Sequence, residues 1–227
     1  GLTNEIGASV RQVSDTEVEG MRMLGTFCYN SDASFPMYFV MRVNKKPAQS
    51  GFWKKQPSLG AAKDSWEKYS GKYKLYVNKT RDMAGNEIGW FMSFPCKAGE
   101  QVEVQIGVSF VSIANARENL NTEQPTLNFE KVKAEARASW NEVLNRVSVE
   151  GGTEAQRRVF YTALYHTQIH PNILQDVNGQ YPKMEGTETL HTDGNRYTVF
   201  SLWDTYRNLT QLQTLLFLIR RLIWCVR

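Results

Sequence analysis

Cysteine is scarce in this chain. Cys28, Cys96 and Cys225 are three widely spaced residues among 227, and an odd, scattered set supports neither a disulfide framework nor a zinc site of the CxxC type. All three are expected to be buried thiols. No apolar run approaches the roughly 18 residues that cross a bilayer, so no membrane span is expected. Charge of one sign is never massed: 27 basic against 23 acidic residues leave +4, and the longest basic blocks are the pairs Lys45-Lys46, Lys54-Lys55 and Arg220-Arg221. That argues against a nucleic-acid-binding stripe. The first residues lack a basic patch followed by an apolar core, so no signal peptide is read there. No EF-hand-like cluster supplies the six to eight oxygens that calcium takes. Internal repeats and low-complexity tracts are missing as well.

What is present is an ordinary globular composition, 41% hydrophobic and 12% aromatic, long enough for one large or two small domains. The first half has the period of two that half-buried strands require. Met37, Phe39, Met41 and Val43 share one face; Tyr73, Leu75 and Val77 alternate with polar neighbours, as do Ile88, Trp90, Met92 and Phe94. Val102, Val104, Ile106, Val108 and Phe110 form the clearest such run, with Lys97–Glu100 as a hairpin connection and Asp82–Glu87 as a turn. Past Asn115 the period lengthens to about 3.6. Phe129, Val132, Ala136, Trp140, Val143 and Val147 predict a long helix between the break at Gln124-Pro125 and the stop at Gly151-Gly152. Thr153 with Gln156 forms a capping box that opens another helix, carrying Val159, Phe160, Ala163 and Leu164 and ending before Pro171. About thirty residues of loop follow, too many for a plain connector. Strands first and helices afterwards predict an all-β domain followed by an all-α one.

The segment YTVFSLWDTYRNLTQLQTLL, Tyr197 to Leu216, places Trp203, Asp204 and Arg207 at the start of a helix. An indole face stacks on the apolar side of a pyranose, a carboxylate accepts from vicinal hydroxyls, and a guanidinium offers a fixed fork of donors, so the grouping suits a sugar. The same residues have a structural reading. Ser201 and Asp204 fit a capping box, Asp204 and Arg207 an i,i+3 ion pair, and Trp203 a core position. Spacing alone leaves both open.

Three blocks bear on that choice: FYTALYHTQIHPN (Phe160–Asn172), DVNGQY (Asp176–Tyr181) and YTVFSLWDTYRNL (Tyr197–Leu209). With VEGMRMLGTFCYN, MYFVMRVNK and FPCKAGEQVEVQIGVSFVSIANARENL upstream, the chain closely resembles glycoside hydrolase family 92, a family of calcium-dependent, inverting exo-α-mannosidases. The resemblance implies a β-then-α fold, a partial β-sandwich of the galactose-mutarotase or supersandwich kind, then a linker helix and the first helices of an (α/α)6 barrel. The implied boundaries are 1–123 for the end of the N-terminal sandwich domain, 124–152 for the linker, 153–217 for the start of the barrel, and 218–227 for a tail that departs from the family. A frameshift or premature stop explains that tail, LIRRLIWCVR; deliberate trimming explains the start of the chain but not the tail.

The resemblance also implies α-mannoside glycans as partners and a periplasmic or extracellular location in a bacterium. Trp203 and Asp204 match the family's WD pair at the mouth of the mannose pocket, with Arg207 orienting Asp204 or touching the ligand. Inverting hydrolysis needs a general acid and a general base roughly 6.5–9.5 Å apart. The resemblance places both, and most calcium ligands, beyond Arg227, so this chain is expected to contain no catalytic residue, to coordinate no calcium fully and to be inactive alone, a non-catalytic mannose-binding remnant being the alternative. His166 and His170 are read as structural histidines on the preceding helix, and His191 as a loop residue. The loop from Phe27 to Phe35 is expected near the sugar, with Tyr29 and Phe35 as turn or core aromatics. Last, the apolar stripe of Leu202, Tyr206, Leu209, Leu212 and Leu216, continued into the tail, predicts self-association or folding back onto the sandwich.

Overall fold

The computed structural model describes residues 7–25, 34–55, 73–198 and 202–217. It divides into two compact units: the first comprises 1–127, 176–178 and 182–189, the second 128–175, 179–181 and 190–227.

The first unit is two antiparallel sheets and a helix. Strands β1 (Ala8–Gln12), β2 (Glu17–Gly25), β3 (Ser34–Val43), β6 (Asp82–Gly85) and β8 (Val104–Ser109) form one sheet in the order β6-β1-β2-β3-β8. Strands β4 (Gln49–Lys55), β5 (Tyr73–Val77) and β7 (Ile88–Ser93) form the other, in the order β5-β4-β7. Alternation turns Val10 and Val18 toward Phe52 of β4, all three buried, with Phe39, Met41, Tyr76, Met83, Ile88 and Trp90 packed around them. The opposite face of the larger sheet carries helix α1 (Ile113–Glu123), whose Ala116 and Leu120 close over Val40.

Beside that helix the same alternation turns charges to one side, and the ladder sorts them by sign. Arg11 stands opposite Glu19, and Glu17 opposite Arg42. Arg11 donates to Glu19 Oε1 through Nε at 2.9 Å, Arg42 Nε donates to Glu17 at 2.6 Å, and Arg117 of α1 donates to both glutamates at 2.6 and 2.7 Å. Glu19 is only 4% exposed. Two guanidiniums, both reaching it from partly exposed positions, compensate its desolvation.

Several expectations need correction. The Val102–Phe110 run does form a strand, β8, but its apolar face is the open one: Val104, Ile106 and Val108 are 53, 52 and 48% exposed. Its buried face is Gln105, Gly107 and Ser109, because α1 lies so close that only small or hydrogen-bonding residues fit beneath it. Lys97–Glu100 is a turn, with Glu100 N–H donating to Lys97 O, yet it joins β7 and β8 of different sheets and so makes no hairpin. Asp82–Gly85 is strand β6, paired with β1, rather than part of a turn. Cys96 is exposed; Cys28 and Cys225 lie outside the described residues.

In the second unit Asn128 caps α2 (Phe129–Leu144) by accepting from Lys131 N–H, and the Thr153/Gln156 capping box opens α3 (Glu154–His166) with both of its bonds formed. The periodic stripe of α2 is present, but none of its residues is buried; Trp140 finds partial cover against Tyr165, ring centroids 4.5 Å apart. With Leu144, Arg158, Tyr161 and Thr162 these two line a shallow groove of 280 Å³. Helix α3 stops at His166, so His170 lies past its end, exposed and preceding the cis peptide to Pro171.

Candidate functional site

The Trp203 segment is held from both sides within the second unit. Upstream, the long loop is zipped into a ribbon. Thr198 N–H donates to Asn172 O and Leu174 N–H to Arg196 O, each at 2.8 Å, and the Gln175 side chain accepts from Arg196 N–H at 2.8 Å. Short strands β9 (Gln180–Pro182) and β10 (Thr189–His191) continue the pairing. Gly179, just before β9, has φ of +81°; a Cβ there would stand 2.4 Å from Thr192 O, so the turn in DVNGQY demands glycine. Arg196 lays its guanidinium over the Tyr181 ring at 5.6 Å.

Downstream, the expected single helix is two. Helix α4 spans Leu202–Thr205, the chain turns through Asn208 at φ 60°, and α5 (Leu209–Leu216) begins afresh. Asparagine tolerates the left-handed region better than other side chains, which is why the break falls there. Gln213, 3% exposed, fixes α5 by donating to Thr167 O at 2.7 Å. Arg146 then caps its C-terminal end, donating to Leu216 O at 3.2 Å and lying 4.8 Å over the buried Phe217 ring.

Between these supports Trp203 is 85% exposed and Tyr206 63%. Within this chain Trp203 is therefore not covered by other residues. Arg207 Nε donates to Tyr206 Oη at 2.6 Å with the guanidinium 5.3 Å from that ring, so the arginine is steadied by an aromatic neighbour rather than left to sample freely. Asp204 belongs to α4; its side chain, Ser201 and the capping box they were expected to form lie outside the described residues. So do Phe27, Tyr29 and the tail 218–227. Phe35 is in β3, packed edge-on against Phe110 at 5.8 Å.

The histidines contribute no cluster. His191 Nδ1 lies 3.7 Å from Asp193 on an exposed strand, and His166 rests beside Tyr165. Among the described residues no group of three or more His, Cys, Asp or Glu converges where a metal could sit. The residue that pattern reading missed is Asp176. Its carboxylate is 6% exposed and accepts from Ser109, Asn115 and Asn119. The signal was available as Asn115 and Asn119, one helical turn apart, opposite the small row of β8.

Comparison with known proteins fits this arrangement. The model of the glycosyl hydrolase family 92 N-terminal domain matches residues 2–109, and that of the family 92 catalytic domain residues 115–220. The chain belongs to glycoside hydrolase family 92. A solved family 92 α-mannosidase from Bacteroides thetaiotaomicron superposes with a TM-score of 0.75 at 27% identity, covering 93% of this chain and 26% of that one. An inverting family 92 mannosidase from the same organism gives 0.73 at 26%, covering 92% and 26%. A curated protein from Arthroderma benhamiae, named an uncharacterized secreted glycosidase, is 29% identical over 126 residues, 53% of this chain and 15% of its own length. The chain thus spans about a quarter or less of these relatives.

Proposed function

We propose that this chain is the leading part of an exo-acting, inverting α-mannosidase, exported from the cell, whose Trp203, Asp204 and Arg207 hold the sugar. The observation that carries the reading is the pair of family matches running through both units, together with the openness of Trp203 on a segment braced at both ends. One of the related α-mannosidases has been solved with mannoimidazole, and a curated relative is named as secreted. In this reading Trp203 stacks on the apolar face of the mannose ring, Asp204 accepts from vicinal hydroxyls, and Arg207 is aimed by Tyr206.

Acid–base chemistry is assigned to residues beyond this chain, in the remaining helices of an (α/α)6 barrel. Each such group is worth about 10²–10⁴ in rate, so the chain alone does not turn over. Calcium belongs to the same missing part.

Joining the chain to the rest of a family 92 catalytic domain and assaying an activated α-mannoside, with and without a calcium chelator, tests the proposal. Hydrolysis that the chelator abolishes supports it, while calcium-independent or absent mannoside hydrolysis overturns it. The exposure of Trp203 also favours a second reading of the isolated chain, a mannose-binding remnant. Calorimetry with mannose and mannobiose decides that: millimolar or tighter binding lost in Trp203→Ala supports it, and no heat in either protein refutes it.

A further inference from the structure

We propose that Asp176 is the anchor of the ribbon that leads into the Trp203 segment, a positioning carboxylate seated in a socket made for a negative charge. Its Oδ2 accepts from Ser109 Oγ at 2.7 Å and Asn115 Nδ2 at 2.8 Å, and its Oδ1 from Asn119 Nδ2 at 2.7 Å. All three donors are themselves buried, at 2, 7 and 8% exposure. None can easily reverse. Ser109 Oγ already accepts from Val111 and Ser112 N–H at 2.9 and 3.3 Å, so its own hydrogen is the one that Asp176 takes. Asn119 Oδ1 accepts from Val177 N–H at 2.9 Å while its Nδ2 also reaches Val108 O at 2.8 Å, which fixes the amide. Asn115 Oδ1 accepts from Ser112 Oγ at 3.0 Å. Three fixed donors converging on two oxygens select a carboxylate; an amide would turn its own NH2 toward at least one of them.

The position of the socket gives it consequence. Residues 176–178 count with the first unit, although the chain on either side of them counts with the second. Asn178 Nδ2 adds a bond to Glu118 at 2.8 Å. Immediately before the anchored tripeptide, Asn172–Gln175 pairs with Asn195–Thr198; immediately after it, Gly179 O accepts from Thr192 N–H at 3.0 Å. Both limbs of the ribbon therefore adjoin the anchored tripeptide in sequence or by pairing. Its return limb ends at Thr198, a few residues before Trp203. The order of that limb depends on Asp176, and this dependence is independent of which sugar, if any, Trp203 meets.

Hydrogen exchange of the full chain, read by mass spectrometry without ligand, tests the anchor. In Asp176→Asn the amides of 173–181 and 190–198 should exchange about ten- to a hundredfold faster, while β1, β2 and β3 keep their protection. If Asp176→Asn does not fold, Asn115→Ala removes one donor and should give the same local pattern at smaller amplitude. Unchanged exchange in the ribbon, or an equal rise across β1 to β3, would overturn the proposal.

Discussion

Gly107 is the tightest junction between β8 and α1, and replacing it with alanine is the sharpest test of how the first unit packs. An added Cβ would lie 2.3 Å from Ala116 O and 2.6 Å from Leu120 Cβ, where ordinary contact begins near 3.4 Å, so the helix must withdraw by about 1 Å. Leu120 is 1% and Ala116 0% exposed, and a gap of that size forfeits a quarter to a half of each dispersion contact. Overpacking of this kind costs about 1–3 kcal/mol. The same shift stretches the Asn115 and Asn119 bonds to Asp176, which lie at 2.8 and 2.7 Å; hydrogen bonds to a charged group are worth about 1.5–3 kcal/mol each. Against this, alanine restricts the unfolded chain by about 0.4–1 kcal/mol. A net loss of about 2–4 kcal/mol is expected, lowering Tm by roughly 5–15 °C for a chain of this size. Circular dichroism melts measure it. Gly99→Ala serves as the comparison, since Gly99 has φ +82° but nothing within 4 Å; only backbone strain, about 1–2 kcal/mol, is expected. A Gly107→Ala midpoint within about 1 °C of the parent would refute the packing argument.

Trp203→Ala should leave Tm within the few tenths of a kcal/mol typical of surface changes, because the side chain is 85% exposed, while abolishing any mannose heat in calorimetry; a large Tm loss would mean that the indole is structural. Thr153→Ala should cost about 1 kcal/mol, seen as faster amide exchange in the first turn of α3. The Lys45 ammonium beside Glu100 holds that carboxyl below the ordinary glutamate range, and Glu100 in turn raises Lys45. The Glu100 contribution is therefore present above the ordinary pKa and lost as pH falls through the lowered folded value. The Lys45 contribution is present below its ordinary pKa and lost as pH rises through the raised one. The Tm difference between the parent and Glu100→Gln should be small, since the pair is at the surface, and should vanish in acid; a difference growing toward acid would contradict it. With Leu215 81% exposed on α5, light scattering should report self-association weakened by Leu215→Glu, and a concentration-independent monomer would count against this.

What could be read from the residues follows from where local chemistry decides. The capping box at Thr153 and Gln156 is self-contained, and it formed as written. Strands β3 and β7 announced themselves by alternation because one face of each is apolar, whereas in β5 the alternating Tyr73 and Leu75 are exposed and Tyr76 packs on the core. Strand β8 alternated just as clearly, yet period alone does not say which face is covered. Here a helix that prefers Gly107 and Ser109 beneath it took the other side. Asp82–Gly85 looked like a turn because its composition is that of one, and it became a strand through a partner, β1, distant in sequence. At the site, spacing left Trp203 open between exposed chemistry and core; in this chain its side chain is exposed. The break at Asn208 was not legible, and of the Asp176 socket only the Asn115 and Asn119 pair was, since the acid they hold is distant in sequence.

The most direct test of the central claim is the anomeric form of the product released when this chain, joined to the rest of a family 92 catalytic domain, hydrolyses an α-mannoside, followed by proton NMR. The account predicts β-mannose as the first-formed sugar, with no turnover by the chain alone. First-formed α-mannose, or turnover of an activated mannoside by these 227 residues alone, would contradict it.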